Sequence, residues 1–441
     1  MRTTRMQRQR ASMWPRLLYG IMGALLWGVS VSAQVNDLSP VRPGLRPDRV
    51  VLNVTEDPAT SMAVTWRTST AVPHGAAQLV VADSHPASVG NALAQAAKTE
   101  ALRVGELEAH YHSAVFAGLM PNTQYAYRVG HGDHWSEWHH FTTAGTATDS
   151  LTFLYFGDVQ TNIHQLWSRV VRRAYRQAPE ARLALYAGDL VNRANRDVEW
   201  GEWFAAGAFI HAEIPVMPTP GNHDHASTDA GEDLISAYWR PQFTLPLNGP
   251  AGLEESCYYT DVQGVRFISM NTQRYELSEV DRASQRDWLE RVLADNPNKW
   301  TCMLMHHPIY STKRNRDNKM LRADLKPLID RYGVDLVLQG HDHTYVRGME
   351  RVPMPNGQVP GTMYVVSVSG PKMSDVLHAE WMERVAGHTQ LFHVVDVVGD
   401  VLRFRAFTAT GALYDEFELH KSAGKANQLI NKIPQGADER Q

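Results

Sequence analysis

Five short apolar runs in this chain end in turns that carry metal-ligating side chains, and no other feature constrains the fold as much. Residues 151–156 run into Gly157-Asp158, and residues 183–187 into Gly188-Asp189. Residues 214–217 lead to Gly221-Asn222-His223-Asp224, 301–305 to His306-His307-Pro308, and 334–338 to Gln339-Gly340-His341-Asp342-His343. Short apolar runs bounded by turn residues read as strands buried on both faces. Between them, Ile163, Leu166, Trp167, Val170, Val171 and Ala174 recur at helical spacing, and further helices are expected around 281–294 and 319–332. Strand alternating with helix at this scale makes a layered α/β architecture. In open α/β sheets, sites assemble beyond the carboxyl ends of the strands. Asp158, Asp189, Asn222, His306, His341 and His343 are therefore expected on one rim, with Gly157, Gly188, Gly221 and Gly340 allowing sharp turns beside them.

Two carboxylates, one amide and three imidazoles suit a pair of cations. Metals held about 3.5–4 Å apart need a shared anionic ligand and a mix of oxygen and nitrogen donors. Imidazole suits Zn, Fe and Mn, and oxygen donors keep such a site hard enough to bind phosphate as well. A pair of this kind forms hydroxide near neutral pH and offsets the charge that develops in an in-line displacement at phosphorus.

Ahead of this region, residues 48–145 follow a different rhythm. Strands are expected at 50–55, 61–67, 77–81, 112–116, 124–129 and 138–142, which suggests an all-β sandwich with Trp66 as its core aromatic. The segment Leu119-Met120-Pro121-Asn122-Thr123-Gln124-Tyr125 resembles the tyrosine corner of fibronectin type III domains. His110, His112, His139 and His140 have no acidic company and are expected at the surface. Residues 34–47, with three prolines, read as an extended lead-in; 149–419 form the second domain, with β-meander character from 362; and 420–441 read as a polar, mobile tail. The first 33 residues combine five arginines, a short apolar stretch and a small-residue exit at Ala33. That is the pattern of a secretory signal peptide, which implies a secreted or periplasmic protein with no stable membrane insertion once the signal is removed. In such a compartment Cys257 and Cys302 either pair or stay as buried thiols, and both readings stand. With 43 Lys+Arg against 47 Asp+Glu, no basic excess is present to follow a nucleic-acid backbone.

The five blocks, in this order, resemble those of calcineurin-like metallophosphoesterases. Within that superfamily the chain is most similar to purple acid phosphatases and their bacterial relatives. A fibronectin-like domain precedes the catalytic one, Phe156-Gly157-Asp158 opens it, and Gly340-His341-Asp342-His343-Thr344-Tyr345 closes it. The resemblance implies a binuclear centre in which Asp158 and His343 bind one metal, Asp189 bridges, and Asn222, His306 and His341 bind the other. It also implies attack by a bridging hydroxide, with His223 as proton donor, oriented by Asp224. His225 and His307 lie outside the pattern and are expected at the surface, unless His225 extends the pocket.

The chain also departs from the family. Purple enzymes place an iron-binding tyrosine three residues after the bridging aspartate, where this chain has Asn192. A colourless site is therefore expected, with the metal pair open among Fe, Zn and Mn. The wider superfamily often has histidine two residues after the first aspartate, where this chain has Gln160. Gln160 or Asn192 either completes the first metal's shell or hydrogen-bonds to its ligands. Beyond the fourth block, where purple enzymes carry histidines, Lys313, Arg314 and Arg316 either hold phosphate or form a solvated basic loop. Arg193 and Tyr345 are further pocket candidates, being close in sequence to ligands. The expected activity is hydrolysis of small-molecule phosphomonoesters. A phosphodiesterase and a non-catalytic binding protein with a retired active site are the alternatives.

Overall fold

The computed structural model describes residues 42–146, 150–229, 231–349 and 361–440, so the expected signal segment 1–33 lies outside the described residues. Among them, no helix is long and apolar enough to cross a membrane.

The N-terminal part is a sandwich of two antiparallel sheets. One contains Asp48–Asn53, Ser61–Thr68, Leu107–Ala117 and Lys98–Val104; the other contains Leu93–Ala96, Ala76–Val81, Gln124–His131, His134–Trp135 and His139–Thr142. Alternation places Leu52, Met62, Val64, Trp66, Phe116, Tyr127, Val129 and Phe141 in the core between them. The Tyr125 hydroxyl accepts from the Met120 amide at 2.9 Å, which closes the corner over the first turn. Leu93–Ala96 and Lys98–Val104 are exposed strands without apolar alternation, which is why periodicity does not reveal them. Two histidines expected at the surface are core residues instead. His112 is fully buried against the Trp66 ring, bonded through its two nitrogens to Thr68 (2.7 Å) and Thr99 (2.9 Å). His139 is buried beside Tyr127. Threonine hydroxyls supply the polar company that the linear sequence does not display.

The second part packs two sheets face to face between helices. Ser150–Phe156, Ala184–Ala187 and Val216–Thr219 run parallel in the first sheet. Val265–Met270, Trp300–Met305, Leu336–Gln339 and Met363–Val366 run parallel in the second. Helices Ser168–Gln177 and Asp197–Glu213 cover the first layer, and Glu279–Ala294 and Lys319–Tyr332 the second. Asp197–Glu213 escapes periodicity because the helix is broken at Ala208 (φ 37°, ψ −124°) and because Phe209 is exposed while the polar His211 is buried. The expected meander after 362 divides between the sheets. Met363–Val366 and Arg384–Ala386 join the second, while Leu391–Val398, Val401–Thr408 and Leu413–His420 extend the first from its Ser150–Phe156 edge. The expected tail contains a strand, Gln428–Asn431, which pairs with Leu413–His420, and Asn427 donates to buried Asp335 at 2.7 Å. Cys257 and Cys302 are both free and buried, in separate cores.

The sandwich is not a detached module. Asp48–Asn53 lies parallel to Val216–Thr219, with Asn53 opposite Val216, so one sheet runs through both parts. Beside that seam, buried Asp197 accepts from Arg49 at 2.6 Å and Arg67 at 3.4 Å, and Arg67 also pairs with Asp48 at 2.6 Å. Asp197→Ala would take from buried Arg49 its carboxylate partner and leave Arg67 with Asp48. A loss of about 3 kcal/mol or more is expected in denaturant unfolding. An unchanged midpoint would remove this network from the account of how the two parts are joined.

Candidate metal centre

The first sheet delivers Asp158, Asp189 and Asn222 just beyond its three parallel strands, and the second delivers His306, His341 and His343 beyond two of its own. Four of these six sit in left-handed backbone, at φ 38° for Asp158, 52° for Asp189, 72° for His341 and 57° for His343. Non-glycine residues take that conformation uncommonly, and strain of this kind collects at functional sites. Gly221 permits the closest approach, because a Cβ there would stand 2.2 Å from Asp189 Oδ1.

The donor atoms fall into two sets that meet at Asp189. Asp158, Asp189 and His343 offer ligand atoms within 4.8 Å of one another. On the other side, His306 Nδ1 faces the Ala187 carbonyl at 2.9 Å, which turns Nε2 into the cluster. That Nε2 lies 3.0 Å from Asn222 Oδ1, 3.0 Å from His341 Nδ1 and 3.3 Å from Asp189 Oδ1. His307 completes a second close trio with His306 and His341.

Electrostatics show what such a cluster lacks by itself. Burial, with Asp189 nearby, holds the Asp158 carboxyl well above the usual range although His306 opposes it. Burial would raise Asp189 too, but His306 and His223 outweigh it and hold Asp189 below the usual range. His306 is correspondingly raised to about 9 by the Asp189 charge, against its burial. Its proton supplies the positive charge that three converging acceptors require. His341 is lowered by burial and by His307 and His306, and His343 is lowered to about 3 by burial and by Lys372 and Lys313, so both rings are neutral donors. Asp158 Oδ1 is buried without a hydrogen-bond partner. An orphaned carboxylate oxygen, neutral imidazoles and an amide oxygen aimed at common points are what a pair of cations would satisfy. The residues present fit a binuclear centre.

The remaining candidates fall into place around it. Gln160 is buried; its Nε2 hydrogen-bonds Asp189 Oδ2 and lies 3.5 Å from His343 Nε2, while its Oε1 accepts from Lys372 at 2.9 Å. Asn192 contributes its backbone carbonyl, 2.8 Å from His223 Nδ1. Asp224 does not touch the His223 ring. Its buried carboxylate accepts from the amides of Gly221 (2.8 Å), Leu190 (3.1 Å) and Val191 (3.4 Å), because the two ligand-bearing turns leave those donors otherwise unpaired. Tyr345 is not a pocket residue. Its strand turns it into the core, where its hydroxyl donates to Asp415 at 2.7 Å. Arg193 is exposed and held by Glu199 at 2.9 Å. Arg316 pairs with Asp342, which itself ties down Thr312, so it braces the loop between ligands. Arg314 is exposed, and Lys313 is half-buried near the rim. His225 and His307 are buried rather than at the surface, His225 bonded to the Gly221 carbonyl and His307 to Thr272. Sequence reasoning missed Lys372. The available signal was another strand, 363–366, running into Ser369-Gly370-Pro371-Lys372 at the same rim.

Comparison with known proteins agrees with this architecture. Residues 47–143 match the purple acid phosphatase N-terminal domain, and residues 151–345 match the calcineurin-like phosphoesterases. Behind a purple acid phosphatase N-terminal domain the chain thus carries a calcineurin-like phosphoesterase domain. Its front domain places it with their purple acid phosphatase branch, and the family implies a binuclear metal centre. It is 27% identical to an uncharacterized protein of Mycobacterium tuberculosis over 66% of this chain and 60% of that one. It is 28% identical to acid phosphatase type 7 of Danio rerio over 54% of this chain and 57% of that one. The chain thus spans less than two thirds of the length of these relatives. The structure of purple acid phosphatase PPD1 from yellow lupin seeds superposes with a TM-score of 0.71, covering 86% of this chain and 75% of that one at 19% identity.

Proposed function

We propose that this protein is a binuclear metal-dependent hydrolase of small-molecule phosphoesters, acting first on phosphomonoesters. The observation that carries the reading is the convergence of two buried donor sets on a shared Asp189. In it, Asp158, Asp189 and His343 would hold one metal, and Asp189, Asn222, His306 and His341 would hold the other. When bound, such a pair activates water and offsets phosphoryl charge. The chain's own groups do the rest. Asp224 fixes the amides of both ligand-bearing turns, so the donor atoms are held before substrate arrives. His223 Nδ1 is committed to the Asn192 carbonyl, which leaves Nε2 as the atom that exchanges a proton with the departing alcohol. Replacement of the family's tyrosine by Asn192 supports a site without a visible absorption band. The arginine-rich leader supports export to the periplasm or beyond.

The test combines metal analysis with turnover on p-nitrophenyl phosphate and an alkyl phosphate after metal is restored. About two equivalents and turnover of both are expected; an inert protein that holds no metal would overturn the reading. His223→Ala should cost about a hundredfold on the alkyl ester and much less on p-nitrophenyl phosphate, whose leaving group departs without a proton. Equal losses on both esters would remove His223 as the proton donor.

A further inference from the structure

A cation outside the five motif blocks reaches the centre. Strand Met363–Val366 of the second sheet ends at the ligand rim, and the chain beyond it is held against the turn that carries Asp158. Ser369 donates its amide to Gly157 at 2.6 Å and Gly370 to Asp158 at 2.8 Å. A Cβ on Gly370 would lie 2.5 Å from the Asp158 carbonyl, so glycine is required for the approach. This clamp delivers Lys372. Its Nζ donates to Gln160 Oε1 at 2.9 Å and lies 3.2 Å from His223 Nε2. With substrate absent, the neutral ring keeps its hydrogen on Nδ1, which faces a carbonyl that can only accept, so Nε2 accepts from the ammonium; proton donation to the alcohol requires that contact to be released. An ammonium has three donors, and these bonds use two.

The surrounding charge is unbalanced. Of the other basic candidates, Arg193 is paired with Glu199 and Arg316 with Asp342, and Arg314 is exposed. Among the described residues, Lys372 has no carboxylate within ion-pair distance although its Nζ lies 3.2 Å from the His223 ring, so a bound dianion would supply the counter-charge it lacks. Lys313 follows Ser311 and Thr312, which Asp342 holds between the ligands His341 and His343. A purely structural lysine would gain nothing from being placed where its charge is uncompensated.

We propose that Lys372 binds a non-bridging phosphoryl oxygen of the substrate and, with Lys313, selects doubly charged phosphomonoesters over singly charged phosphodiesters. The inference rests on the phosphoesterase reading above. A monoester above its second pKa of about 6 carries two negative charges. A diester carries one, and its second ester oxygen gives an ammonium only a weak acceptor. A hydrogen bond between charged groups discriminates by about 10- to 100-fold.

The experiment uses the metal-loaded full chain at pH 7, with wild type, Lys372→Met, Lys372→Arg and Lys313→Met. Turnover is measured on p-nitrophenyl phosphate and bis(p-nitrophenyl) phosphate, and affinity for inorganic phosphate by calorimetry. Lys372→Met is expected to lower monoester kcat/KM by about 10- to 100-fold, with a parallel loss of phosphate affinity and little change on the diester. Lys372→Arg should restore part of the monoester rate, and Lys313→Met should show the same selectivity to a smaller degree. Equal losses on both esters, or unchanged phosphate affinity in a folded Lys372→Met, would overturn the assignment. Should wild type hydrolyse neither ester, the phosphoesterase reading fails by itself. Weakened phosphate binding in Lys372→Met would still support the lysine's role as an anion ligand.

Discussion

Asp189→Ala is expected to lower phosphoester turnover by at least about a thousandfold and to reduce bound metal below two equivalents. The size follows from its position. Asp189 belongs to the close donor trio with Asp158 and His343 and also lies 3.3 Å from His306 Nε2, so its removal degrades both halves of the site at once. It also accepts the His223 amide at 2.9 Å, which ties the proton-exchanging ring to the metal-binding turn. The metal-free protein should be weakened as well. His306 carries the charge that balances Asp189, so removing that carboxylate leaves a buried, positively charged ring without its partner. Asp189→Asn should therefore lower the stability of the metal-free fold while turnover is lost. Elemental analysis, kinetics and thermal unfolding of both variants read these effects separately. Retention of full turnover, or of two equivalents of metal, would show that Asp189 is not the shared ligand.

The second large effect is on stability in acid. His112, His211 and His393 are buried outside the metal centre, and burial lowers them to about 4, about 3 and about 3. His211 bonds the Tyr186 hydroxyl at 2.7 Å and stacks on Trp203; His393 is packed among Tyr155, Tyr345 and Phe404. In the unfolded chain each ring takes up a proton below about 6.5. The native rings stay neutral until far lower pH, so the unfolded state binds more protons in that window and stability falls as pH falls. The contribution is fully present above about 6.5 and is lost progressively toward 3 to 4. At pH 5 it amounts to about 2 kcal/mol for each ring, or roughly 6 kcal/mol for the three relative to neutral pH. Denaturant unfolding between pH 7 and 5 should show these losses, and His211→Gln should reduce the total by about 2 kcal/mol. A slope unchanged by that substitution would mean that the ring is already protonated in the native protein.

Much of the catalytic layer was legible because its physics is local. Apolar strands at 151–156, 183–187 and 301–305, and helices at 281–294 and 319–332, follow from runs and periodicities that neighbouring residues impose on each other. The six candidate ligands were legible for a related reason. Each stands directly after a strand, and parallel strands share one carboxyl end, so order along the chain becomes adjacency on a rim. Helix Asp197–Glu213 was not legible, since a break at Ala208 shifts the phase of its apolar residues partway along. Neither was the burial of His112 and His139, whose partners come from other strands.

What this sequence determined alone was an inventory with an order: which strands and helices form, and which carboxylates, amide and imidazoles end beside the sheets. Tertiary structure decided what those side chains touch. It gave Asp224 to the amides of two turns rather than to His223, put Tyr345 in the core on Asp415, and drew Lys372 from a sixth strand end onto Gln160 and His223. The physical reason is range. Backbone preference and hydrophobic period act over a few residues, whereas hydrogen bonds and charges are satisfied by whatever groups the packed sheets bring within about 3 Å.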